Sequence, residues 1–143
     1  MGPPDIAVLA LALLLAAASI LTHYEALSAI NRLLGRIASP RVALLVAMGG
    51  LLIAHIVEIW LYGGAYALTT AVLNLGALEY GATTPEWYDP VYFSAMVYTT
   101  VGFGDIVPVG PMRLLVATEA LVGLSLITWS ASFAFLQMQK VWR

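Results

Sequence analysis

The stretch Thr99–Asp105 constrains this chain more than any other part of it. It reads Thr-Thr-Val-Gly-Phe-Gly-Asp, uncharged until its last residue, with Gly102 and Gly104 at alternate positions. An apolar helix-like run, Val91 to Tyr98, precedes it, and a long apolar segment, Met112 to Leu136, follows. Successive main-chain carbonyls can point the same way only if alternate residues adopt unusual dihedrals, and glycine reaches positive φ at little cost. Thr100, Val101, Gly102 and Phe103 can therefore stack their carbonyl oxygens along one axis. The Thr100 hydroxyl adds a further oxygen at the inner end, while Val101 and Phe103 turn outward to pack on a wall. The plainer reading is a glycine turn between two helices. A bare Gly-x-Gly is weak evidence, and it is the apolar helix before and the membrane-length segment after that argue against that reading.

Those flanks bring in composition. With 62% hydrophobic residues, 10% charged and a mean hydropathy of +0.92, these 143 residues do not describe an ordinary globular domain. They describe one compact integral membrane unit whose partner is the lipid bilayer. The absence of cysteine excludes disulfides and thiolate metal sites. A net charge of -2 offers nothing to nucleic acid.

Three spans are expected. Met1 to Asp5 is a helix start, with Pro3 and Pro4 beside an acid. Ile6 to Thr22 is almost wholly apolar and reaches the roughly 20 residues a span needs by continuing through His23, Tyr24 and Glu25. A cleaved signal peptide is the rival, but the basic leading region of such peptides is missing. The second span starts at Val42 and reaches Tyr62, where Gly63-Gly64 is expected to break or bend it. The third is the segment from Met112. Arg32, Arg36 and Arg41 form the most basic stretch, and Lys140 and Arg143 a second one. Basic short loops stay cytoplasmic, so both clusters fall inside if the amino terminus is external and the carboxyl terminus cytoplasmic.

Between the second and third spans the pattern changes. Ala65 to Tyr80 reads either as a prolonged second helix or as an interfacial helix. Gly81 to Pro90 reads as an exposed turret in which Glu79, Glu86 and Asp89 make the outer face acidic. Such acids are either a solvated loop or a vestibule that concentrates cations. Asp89-Pro90 looks like an N-cap followed by proline at the first helical position. The helix from Pro90 to Thr99 is too short to span, and a re-entrant helix is tolerated only where protein or water covers it. Its carboxyl end carries negative partial charge, which favours a cation beneath it.

Thr100 to Gly104 differ by one aromatic ring from the TVGYG loops of potassium channels. On these residues the chain resembles the pore unit of the tetrameric potassium channels, and the resemblance extends over roughly Val42 to Arg143. It implies an all-α membrane protein with three transmembrane helices, a re-entrant pore helix and a filter loop per subunit, assembled as a homotetramer in the cell membrane. Residues 1–41 would be an added helix with a basic cytoplasmic loop, peripheral in the assembly, and residues 42–143 the pore domain. The function implied is passive potassium-selective conduction, with K⁺ as permeant ion on the main-chain oxygens of Thr100 to Phe103, no cofactor and no enzyme activity. Thr99 and Asp105 would flank the filter, Asp105 at its outer mouth. A cation-nonselective channel or a transporter subunit is the alternative. Nonselective relatives usually alter the filter aromatic or its second glycine, and Phe103 and Gly104 are both kept here.

The resemblance has departures. No arginine-repeat helix is present, few residues follow Leu136, and Tyr92-Phe93 stand where relatives carry two tryptophans. Met96 occupies the position at which some relatives hold a glutamate behind the filter, and Phe103 lacks the hydroxyl that would tether it.

Thr118, Ser125, Thr128 and Ser132 recur on one stripe of the last helix and serve either helix packing or a wet cavity. Gly123 is either a bending point or a close-packing contact. Ionisable residues inside a membrane are functional candidates by default. By helical rise His55 lies about 21 Å and Glu58 about 25 Å above Arg41, and Glu119 about 9 Å below Arg113. All three are level with the filter. His55-x-x-Glu58 read as a metal site would make a membrane metalloenzyme, which lacks a third ligand. The alternative is that Glu119 or Glu58 braces the pore helix or filter near Tyr98, Thr99 or Asp105, with His55 tuning the carboxylate. A Glu-His pair satisfied between peripheral helices, away from the filter, is the plainer option.

Overall fold

The computed structural model describes residues 2–81 and 84–141. Arg143 of the second basic cluster, and residues 82 and 83 of the turret, lie outside that range. Three helices are long and apolar enough to cross a membrane. The first, α1, spans Pro3–Leu34, with the Gly2 amide donating to the Asp5 carboxylate at 2.8 Å. It outruns the sequence expectation by more than two turns, because Ser28, Asn31 and Arg32 extend it as a polar end that a helix leaving the apolar layer tolerates. Arg32 therefore lies in the last helical turn rather than in the loop. Val8, Ala12, Leu15, Ser19, His23, Leu27 and Ile30 recur every three or four residues and form its buried stripe. That stripe packs on both of the other long helices of the same chain.

The second helix, α2, spans Pro40–Leu68 with proline opening its first turn. Gly63-Gly64 neither breaks nor bends it out of helix; Gly63 is where Val91 packs across. One π-helical turn, Thr69–Leu73, continues it and ends at Asn74 in the left-handed region, φ 49°. The prolonged-helix alternative thus holds as far as Leu73. The remainder was not foreseen. Strand β1, Ala77–Tyr80, pairs antiparallel with β2, Ile106–Val109, in the register Ala77↔Val109 to Tyr80↔Ile106. A mostly helical protein therefore carries one small ribbon, whose Leu78 and Ile106 turn into the core.

Between the strands lies α3, Asp89–Tyr98, ten residues long. Asp89 is not its N-cap. Tyr88 takes that place, and the Asp89 carboxylate instead accepts the Glu86 amide at 2.7 Å, closing the turn before the helix. Asp89 is consequently buried, so of the three acids expected to make the outer face negative only Glu79 and Glu86 are exposed. The last helix, α4, spans Met112–Val141. The main core joins Tyr62 and Tyr66 of α2, Phe93 of α3, Met112 and Leu115 of α4, the ribbon, and Val8, Ala12 and Leu15 of α1.

Candidate ion-conducting site

Thr99–Asp105 leaves the carboxyl end of α3 and doubles back along it. The Thr100 amide donates to the Val97 carbonyl at 2.9 Å and the Gly102 amide to the Met96 carbonyl at 3.1 Å. Positive φ falls on alternate residues: Thr100 at 61°, Gly102 at 53° and Gly104 at 78°. The two glycines adopt the dihedrals their chemistry allows. Thr100 was not expected there; a β-branched residue in the left-handed region is a strained exception, of the kind that collects at functional sites. Its neighbour Thr99 has its hydroxyl bonded to the Ala95 carbonyl at 2.6 Å. At the other end the Asp105 carboxylate accepts the Tyr92 hydroxyl at 2.8 Å, and the Asp105 carbonyl accepts the Gly81 amide at 3.1 Å.

Val101 and Phe103 find no wall to pack on among the described residues. They are 53% and 72% exposed.

The buried face of α3 is held from both sides. Ser94 and Tyr98, one turn apart on the same face, are both fully buried. The Ser94 hydroxyl lies 2.6 Å from the Glu119 carboxylate and 2.9 Å from the Ile59 carbonyl. Glu119, itself fully buried on α4, also accepts the Tyr66 hydroxyl from α2. Tyr98 donates to the Glu58 carboxylate of α2. The two glutamates foreseen from helix depth thus meet α3 at Ser94 and Tyr98. Neither is bonded to Thr99 or Asp105 among the described residues.

His55 lies 3.2 Å from Glu58 and 2.9 Å from the Tyr98 hydroxyl, measured from Nδ1. Sequence reasoning missed the fourth member, His23 of α1, whose Nδ1 is 2.9 Å from the other Glu58 oxygen. A histidine amid an apolar span was signal enough, since such a residue needs a partner; its position on the buried stripe with Ser19 and Leu27 was the second signal. Ser94, Tyr66 and Ser130 gave no such warning, because buried hydroxyls are common in apolar helices.

Gly123 packs against the Tyr98 main chain, where a Cβ would lie 2.9 Å from the carbonyl carbon. Of its two readings, the structure displays the close contact, and α4 continues through it without interruption. Thr118, Ser125, Thr128 and Ser132 lie away from the buried face, each hydroxyl bonded to the carbonyl four residues back. They make no bond to a neighbouring helix among the described residues.

An ion-channel family model matches residues 42–140, from the first turn of α2 almost to the end of α4. The chain belongs to this family, that of the tetrameric potassium-channel pores, and α1 lies outside the matched residues. It is an integral membrane protein and an ion channel. The chain is similar to the inward rectifier potassium channel Kirbac3.1 of Paramagnetospirillum magnetotacticum, at 31% identity over 90 residues, covering 59% of this chain and 30% of that protein. The matched part thus spans under a third of that relative's length. No solved structure gives a significant match.

Proposed function

We propose that four copies of this chain surround one axis and conduct K⁺ passively and selectively through the Thr100–Gly104 backbone. The carrying observation is the alternation of positive φ at Thr100, Gly102 and Gly104, which permits successive carbonyls to face one side. One subunit contributes a single strand of oxygens, so a closed ring calls for a cyclic homo-oligomer. The exposed Val101 and Phe103 side chains support the same reading, because neighbouring subunits would supply the wall they lack. In that assembly α3 is the re-entrant pore helix, its carboxyl end aimed at the cavity beneath. Thr118, Ser125, Thr128 and Ser132 line the cavity from the free face of α4. Asp105 stands at the outer mouth, near the exposed Glu79 and Glu86.

Glu119 and Glu58 act as braces that fix the pore helix against α4 and α2, in the place of the carboxylate absent at Met96. The α1–α2 turn and the end of α4 adjoin one another, bringing Arg36, Arg41 and Lys140 to one end of the bundle. That end is cytoplasmic by the positive-inside bias, in the cell membrane, and the amino terminus is external.

The test is potassium flux into liposomes holding the purified chain, with sodium as the comparison ion. Selective potassium flux from a tetramer is expected. Equal fluxes would favour a nonselective pore, and no flux from an intact assembly would end the conducting reading.

A further inference from the structure

We propose that His23, His55, Glu58 and Tyr98 form a site for a divalent transition ion of the zinc type, tying α1 to the carboxyl end of α3. The ligand atoms come from three separate helices. Those of His23, His55 and Glu58 all lie within 4.8 Å of one another. The Tyr98 hydroxyl joins them, 2.9 Å from His55 Nδ1 and bonded to Glu58. In a tetrahedral zinc site neighbouring ligand atoms stand about 3.3 Å apart, given metal–ligand bonds of about 2.0–2.1 Å. The spacings of 2.9 and 3.2 Å between the two histidine nitrogens and the Glu58 oxygens need only a few tenths of an ångström to reach it. His23, Glu58 and Tyr98 are fully buried, and His55 is 17% exposed along its side chain. This is unlike a solvated acidic cluster, and the imidazole-rich donor set suits zinc and its neighbours rather than calcium or magnesium.

The second line of argument is a count of protons. Each ring turns Nδ1 toward Glu58 or Tyr98 and Nε2 toward Ser130, at 3.2 Å from His23 and 2.9 Å from His55. If both Nδ1 atoms carry their protons, two Nε2 lone pairs face one Ser130 hydroxyl proton, and one is left without a donor. If Nδ1 of both rings binds an ion, both protons move to Nε2, and the two lone pairs of Ser130 Oγ accept both. Ligating histidines hold their other nitrogen in this way, and it fixes which nitrogen faces the metal. The Ser130 hydroxyl proton, no longer donated to a ring, must then turn to another acceptor, since its oxygen bonds only the two rings among the described residues. The charge also closes: the ion's two positive charges meet the Glu58 carboxylate and a Tyr98 phenolate, with one proton released to solvent. A single extra proton shared between the rings also satisfies the count, as does a Tyr98 hydroxyl that donates to His55 Nδ1 while that ring keeps its proton on Nε2, and the experiment separates both from the ion.

The full chain, purified in detergent as its native assembly, is stripped with a chelator and equilibrated with micromolar Zn²⁺ or Co²⁺. One ion per chain is expected to survive gel filtration, with Co²⁺ giving the visible absorption of a four-coordinate nitrogen–oxygen site. His23→Gln should abolish retention. Ser130→Ala, which touches no ion, should weaken affinity about 10- to 100-fold. An intact assembly that retains no ion overturns the proposal and leaves a metal-free hydrogen-bond network in its place. Retention unchanged by both substitutions overturns it as adventitious binding. Should His23→Gln fail to assemble, the Co²⁺ spectrum of the unsubstituted chain decides alone, and its absence ends the idea. None of these readings requires the chain to conduct.

Discussion

Gly123 of α4 rests against the Tyr98 main chain, with a would-be Cβ 2.9 Å from the Tyr98 carbonyl carbon. Backbone meets backbone at the residue where α3 hands over to Thr99–Asp105. Exchanging Gly123 for alanine gains about 1 kcal/mol of helix propensity. Overpacking a close contact costs about 1–3 kcal/mol, and the neighbour here is rigid main chain rather than a flexible side-chain end. Overpacking wins. Gly123→Ala should lower the thermal stability of the assembly and reduce potassium flux. A variant as stable and conductive as the original would show that α3 and α4 separate at no cost.

Gly102 presents the opposite case. A Cβ there meets nothing within 4 Å among the described residues, yet φ is +53°. The penalty is therefore one of dihedral, about 1–2 kcal/mol per L-residue in the left-handed region, repeated in each subunit. Gly102→Ala should abolish potassium flux while a folded tetramer survives on size exclusion. Normal selective flux through that variant would sink the assignment of the conducting backbone.

Glu119 and Ser94 form the brace between α4 and α3. Glu119→Gln should preserve potassium selectivity, because no oxygen of the conducting backbone is altered, while single-channel recording shows a changed open probability. Ser94→Ala should do likewise. If the two act through one bond, their effects on thermal stability should fail to add by about 0.5–3 kcal/mol. Additive effects would mean that each residue works alone.

Voltage sensitivity should be slight. Steep gating needs several charges moving through the field, each worth about 2.3 kcal/mol per 100 mV. Among the described residues the cations sit at or between helix ends, Arg32 in the last turn of α1, Arg36 in the turn after it, Arg41 and Arg113 in the first turns of α2 and α4, and Lys140 in the last turn of α4. Recording in symmetric potassium without blockers is the check, and a steep conductance–voltage curve would contradict the reading.

The small ribbon shows why part of the architecture escaped sequence reading. Its strands are four residues each, too short for alternation to rise above chance, and Pro108 within β2 argues against a strand taken by itself. A two-stranded ribbon has free edges on both sides, so proline is tolerated there once Leu78 and Ile106 have a core to enter. Asp89 was misplaced for a related reason. A carboxylate beside a helix start can cap the helix or close the preceding turn, and only the path of residues 84–88 decides between them.

Three spans, the basic turn between the first two, and the alternate glycines at Gly102 and Gly104 were legible from the sequence alone, though α1 runs on past its expected end to Leu34. Each is a local quantity, whether the length of an apolar run, the reach of a basic turn or the dihedral freedom of one residue type. The depth of Glu58 and Glu119 was legible too, because helical rise turns residue number into height. Height does not disclose which side of a helix a residue faces or what stands opposite. That Ser94 meets Glu119, that Tyr98 meets Glu58, and that His23 arrives from 35 residues away to complete the cluster depended on how α1, α2, α3 and α4 rotate against one another. Those rotations are set by packing the stripes of all four helices at once, with Gly63 and Gly123 admitting the close approaches. Only the tertiary structure decided them.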